Sequence, residues 1–125
     1  MYDRNEPKQN HRGQNMQRVA FTMHVKAGQQ REYIRRHKAV WPEALEEMRQ
    51  AGIHAMSIFM KANELFVYME VEDYAQAVEM LAKSPDSVRW EEYMAPIMED
   101  ESGDVYDPEN AFPEGLPEVF YWSAD

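Results

Sequence analysis

The residues best suited to proton chemistry lie in "EYIRRHKAVWPE", residues 32–43, where His37 is flanked by Tyr33, Trp41 and two arginines. If this segment is helical, Tyr33, His37 and Trp41 share one face, because side chains four residues apart lie one above the other. An imidazole with an ordinary pKa of about 6.5 exchanges protons near neutrality. His37 therefore reads either as a general acid or base or as a hydrogen-bonded packing residue on an apolar stripe, and the pattern alone leaves both open. Arg35 and Arg36 cannot both face one site, since adjacent helix positions diverge by about 100°. Whichever one does would lower the imidazole pKa through its positive charge.

Other chemistries find less support. His11, His24, His37 and His54 form no pair at ligand spacing and carry no flanking carboxylate set, so no metal site is expected. The chain has no cysteine and no Gly-x-Ser-x-Gly elbow, and Ser57 falls inside an apolar strand-like run, which argues against a covalent nucleophile. Five glycines, scattered singly, make no phosphate loop, so no nucleotide cofactor is expected. Aromatic residues are plentiful at 12%, which suits a sugar because the C–H face of a pyranose packs on such rings. Trp90, Tyr93, Met94 and Ile97 fit a helical core stripe equally well, and the ten methionines serve as core filler.

These groups need elements to hold them. A chain of 125 residues folds as one domain that buries roughly two-thirds of its unfolded surface. The net charge of −10, from 23 acids against 13 Lys and Arg, opposes binding to nucleic acid or an anionic membrane. The lack of cysteine fits a reducing cytoplasm. Residues 1–16 have almost nothing to bury and no signal-peptide apolar run; they are expected to form a disordered polar extension, with the domain at 17–125. No run reaches the 18 or so apolar residues of a membrane span.

From Gln17, "RVAFTMHV" alternates with Val19, Phe21, Met23 and Val25 on one face, as in a half-buried strand. Residues 29–52 read as a helix with Tyr33, Ile34, His37, Trp41, Leu45 and Met48 on its apolar side and Gly52 as its stop; Pro42 imposes a restart near Trp41. "IHAMSIFMK" and "LFVYMEV" make a hairpin about residues 62–64, and Asp73 caps a helix over "YAQAVEMLA". A further short helix carries Trp90. The acidic stretch 99–109 is expected to be solvated, 101–117 to be a surface loop, and "EVFYW", residues 118–122, to be the last strand. The order is βαββαβ, a ferredoxin-like α+β fold with helices on one face of an antiparallel sheet. The other face is apolar enough to require a cover, so a homodimer is expected.

The chain resembles the L-rhamnose mutarotases over residues 18–121. The resemblance is carried by "EYIRRHKAVWPE", with "GIHAMSIF", "VRWEEYM" and "EVFYW" in support. It implies a cofactor-free enzyme with a dimeric ferredoxin-like α/β barrel, whose chains pair or exchange strands, the C-terminal one included. It further implies that His37 is the catalytic acid/base, that Tyr33 contacts the substrate beside it, and that Trp90 belongs to the sugar site. Two positions depart from the family pattern: Met56 stands where the family has a tyrosine, and Glu91 where it has a second tryptophan. Both would alter the substrate-binding wall, so L-fucose is an alternative to L-rhamnose, with His24 and His54 as added polar contacts. Two further alternatives are a cofactor-free monooxygenase or heme-handling protein on the same fold and a non-enzymatic binding module.

Overall fold

The computed structural model describes residues 16–100 and 102–125. The expected polar extension, apart from Met16, lies outside the described residues. Strand β1 (Gln17–Val25) buries Phe21 and Val25 on its apolar face. Helices α1 (Gln30–His37) and α2 (Pro42–Gln50) follow as two pieces, because Pro42 offers no N–H and drives Trp41 into an extended conformation at the N-cap. Gly52, at φ +92°, reverses the chain out of α2, a conformation that other residues adopt only with strain. Strands β2 (Ile53–Lys61) and β3 (Glu64–Val71) form a hairpin whose two-residue turn holds Ala62 at φ 53°. Helix α3 (Tyr74–Leu81) begins at Asp73, whose carboxylate accepts the Gln76 N–H at 3.1 Å, and α4 (Pro85–Met94) follows three residues later.

The sheet is antiparallel, with order β2-β3-β1-β4, and the described residues make a mixed α+β fold with four α-helices. Its fourth strand is β4 (Met98–Glu99), which pairs with His24 and Val25 of β1. This corrects the expectation that "EVFYW" is the last strand. Residues 118–122 lie beside β1 without joining it as a strand: the Leu116 N–H reaches the Ala20 carbonyl at 2.8 Å, then Pro117 brings no donor, and Glu118 meets Arg18 through its side chain at 2.9 Å. The apolar stripe is also corrected in part. Ile34 and Leu45 are exposed, while Tyr33 and Ala44 carry the burial of α1 and α2.

Inward residues of the three long strands, including Phe21, Leu65, Val67, Met69 and Val71, form the core beneath the helices. The pairing skips His54 between Ile53 and Ala55, so Ile53 and Met56 both reach the helix side of β2. On the opposite face Phe59 is 65% exposed. No helix among the described residues is long and apolar enough to cross a membrane.

Candidate active site

A cavity of about 410 Å³ opens between the helix face of the sheet and the layer above it, within the roughly 300–1,000 Å³ range of small-molecule sites. Met23, Met56, Ile58 and Val67 form its floor. Tyr33 and His37 enter from α1, and Trp90 and Glu91 from α4, so the five residues singled out from the sequence line one space. His24 and His54 do not line it. Their side chains instead approach Glu64 (3.8 Å) and Glu72 (2.6 Å), which corrects the expectation that they add contacts to a sugar.

His37 is held on three sides. Its ring stacks on Tyr33 with centroids 4.1 Å apart and meets Trp90 edge to face at 5.5 Å. Its Nδ1 lies 3.1 Å from the carbonyl oxygen of Tyr33, one helical turn earlier. A carbonyl only accepts, so Nδ1 carries the proton, and in the neutral ring Nε2 keeps its lone pair for a ligand. Burial lowers the His37 pKa, against an opposing contribution from the Tyr33 carbonyl. Neither arginine causes the shift, contrary to expectation. Arg36 turns away from the cavity, donating to Glu32 at 2.7 Å and to the Tyr93 carbonyl at 2.6 Å while its guanidinium lies 4.1 Å over the Tyr93 ring. It thereby clamps α1 to α4. Arg35 and Arg36 together hold the Glu32 carboxyl down at about 2.

Trp90 is the hinge of an aromatic cluster, touching Trp41 at 5.1 Å and Tyr93 at 5.5 Å as well as His37. Trp41 therefore packs on the back of the site as well as capping α2.

Glu91 follows Trp90 on the same helix. Tyr106 Oη donates to Glu91 Oε1 at 2.8 Å. Burial pushes the Glu91 carboxyl up, with the Tyr106 bond opposing. Burial, then the nearby Glu91, also raises Tyr33 and Tyr106 far above the ordinary tyrosine value, so both hydroxyls remain protonated donors. Tyr106 is not marked by the sequence pattern, in which its acidic surroundings read as a solvated loop. In the structure Tyr106 and Ala111 are buried, and residues 108–112 form one wall of the cavity. Phe112 packs edge-on to Phe21 at 6.1 Å, and Tyr74 Oη donates to the Pro113 carbonyl at 2.6 Å. The available signal was a tyrosine and a phenylalanine set in an acidic run, since aromatic rings bury large apolar areas. Among the described residues no group of three or more His, Cys, Asp or Glu could hold a metal ion.

The arrangement is thus a desolvated imidazole base, protonated tyrosine hydroxyls, a buried carboxyl whose pKa is raised, and aromatic edges around an apolar floor. Comparison with known proteins identifies the family. A family model described as L-rhamnose mutarotase matches residues 18–122. The L-rhamnose mutarotase of Listeria monocytogenes serotype 4b is 40% identical over 109 residues, 85% of this chain and 98% of that one. That of Opitutus terrae is 37% identical over 108 residues, again 85% and 98%. The crystal structure of the L-rhamnose mutarotase from Formosa agariphila superposes with a TM-score of 0.70 at 30% identity, covering 86% of this chain and 99% of that one. The chain belongs to the L-rhamnose mutarotase family, isomerases that interconvert sugar anomers.

Proposed function

We propose that the protein interconverts the α and β anomers of L-rhamnose in the cavity between α1, α4 and the sheet, with His37 as the acid/base. The observation that supports this reading best is the tethered ring of His37: Nδ1 is occupied by the Tyr33 carbonyl, and Nε2 is left for substrate. The neutral imidazole takes the proton from O1–H and returns it to the carbonyl oxygen on closure, while the ring oxygen takes a proton from a donor group of the cavity and gives it back as the ring re-forms. The C1–O5 bond breaks to the open aldehyde, C1–C2 rotates, and O5 attacks the other face of the carbonyl. No net charge, electron or group is transferred. Tyr33, a permanent donor, hydrogen-bonds a sugar oxygen, and Trp90 packs on the sugar ring with Met56 beneath it. Residues 17–125 act as one unit, and the lack of cysteine suits the cytoplasm.

Met56 and Glu91 in the cavity wall motivate a second reading, L-fucose as the substrate. Saturation-transfer NMR on the two sugars separates them. Catalytic protein is expected to carry magnetisation between the α and β signals of L-rhamnose faster than buffer does. Faster exchange with L-fucose would transfer the assignment to that sugar, and no acceleration of either would overturn it.

The protein acts as a homodimer closed by the outer sheet face and the C-terminal segment, with each chain's segment exchanged into the partner to complete a dimeric barrel. Val119, Phe120 and Trp122 are 91%, 78% and 71% exposed, and Phe59 is exposed as well, apolar surface that one chain leaves uncovered. Arg18 pairs with Glu118 at 2.9 Å and lies 3.5 Å over the Tyr121 ring, tying the segment to β1. Removing residues 118–125 is expected to halve the mass seen by light scattering; a truncated protein that stays dimeric would exclude the exchange.

A further inference from the structure

Opening a cyclic hemiacetal requires proton transfers at two oxygens, O1 and the ring oxygen, and one imidazole nitrogen serves one oxygen at a time. Glu91 enters the cavity from α4, on the element facing the α1 turn that carries His37. Resting on the mutarotase reading of this cavity, we propose that Glu91 is a second catalytic residue: its neutral carboxyl protonates the ring oxygen while His37 Nε2 takes the O1 proton, and Tyr106 positions it.

The geometry divides the two carboxyl oxygens between two tasks. Tyr106 Oη donates to Oε1 at 2.8 Å, so Oε1 is engaged as an acceptor and Oε2 is the oxygen that would carry a proton to the sugar. The titratable groups facing Glu91 are Tyr33 and His37 from α1, and Tyr106 and Glu109 from the stretch 101–117. Neither lysine nor arginine is among the described residues lining the cavity, so no fixed positive charge holds the carboxyl ionised. Burial favours the neutral form of Glu91 and equally the neutral form of His37, which gives a donor and an acceptor at once.

The cycle closes without a co-reactant. As C1–O5 breaks, the Glu91 proton goes to O5 and the O1 proton to His37, leaving a carboxylate and an imidazolium beside the aldehyde. After rotation, O5–H returns its proton to Glu91 as O5 adds to C1, and the imidazolium protonates the carbonyl oxygen. Both residues recover their starting states, and the new anomer leaves.

The test is the pH dependence of kcat and KM for anomer exchange in the wild type, Glu91→Gln and Tyr106→Phe. The wild type is expected to show a bell, its acid limb from His37 and its alkaline limb from Glu91. Glu91→Gln, which keeps the shape but cannot deliver a proton, is expected to lower kcat about 100-fold with KM little changed, and to lose the alkaline limb. Tyr106→Phe removes a bond that stabilises the carboxylate and should move that limb to higher pH; it decides the matter should Glu91→Gln fail to fold. An alkaline limb unmoved in Tyr106→Phe, or a Glu91→Gln variant that keeps the limb and loses only KM, would overturn the assignment and make Glu91 a sugar-binding group. Wild-type protein inert toward every aldose would instead bring down the mutarotase reading and this one with it.

Discussion

Replacing His37 with asparagine is expected to slow anomer exchange by about 10²- to 10⁴-fold, the usual contribution of one positioned acid/base, while leaving the fold intact. Asparagine can still donate to the Tyr33 carbonyl, which His37 Nδ1 now does at 3.1 Å, but it has no basic nitrogen. The measurement is saturation-transfer NMR beside a thermal melt. A variant that exchanges anomers at the wild-type rate would remove His37 from catalysis. A variant that loses both activity and its melting transition would show that the ring is needed for packing. The pH dependence carries the same information. Burial lowers the pKa of His37 below its ordinary 6.5, so the ring is a neutral base at pH 7, and the acid limb of activity should appear as pH drops through that lowered value. Stability follows with the same sign. Between the folded and unfolded pKa values the unfolded chain binds more protons at His37. The folded state is therefore favoured above pH 6.5 and loses that advantage as pH falls through the folded value. In His37→Asn this part of the pH dependence should vanish.

Truncating Trp90 to alanine should have the largest effect on stability. The ring is buried and touches His37, Trp41 and Tyr93, and its loss opens a cavity beside the α1–α4 contact. Large-to-small changes of this kind cost about 3–5 kcal/mol. For a domain of this size that lowers the melting temperature by roughly 10 °C or more. Activity should fall at temperatures where the variant is still folded, because the edge that fixes the His37 ring is gone. Trp90→Phe should recover most of the stability, since it refills most of the space. Calorimetry with anomer exchange at 15 °C checks both. An alanine variant that melts within about 2 °C of the wild type would show that Trp90 is not part of the packed cluster.

Much of this molecule was readable from local pattern. Alternation in "RVAFTMHV" specified a strand, and Pro42 specified a helix restarted at Trp41. Asp73 specified a cap, because a short carboxylate reaches a free N–H at the helix start. The site was readable in a different way. "EYIRRHKAVWPE" identified His37 and Tyr33 by spacing, but the choice between packing residue and base rested on resemblance to known mutarotases. The oxygenase and non-enzymatic alternatives came from the fold alone, which hosts many chemistries. The difference at "EVFYW" has a physical cause: strand composition shows that a segment can pair, but pairing also needs a backbone ladder in register, and after the Leu116 bond to Ala20 the donor-less Pro117 breaks that ladder beside β1.

What the sequence alone determined, then, is the succession of elements from β1 to α4 and the candidate residues for proton chemistry, since both depend on neighbours within a turn or a pleat. Only the tertiary structure decided that α1 and α4 face one cavity and that the imidazole proton sits on Nδ1. It also decided that Tyr106, 15 residues from Glu91 in the chain, reaches its carboxyl. The physical reason is desolvation. The protonation states of His37 and Glu91 depend on how much water is removed around them, and that is a property of the closed cavity.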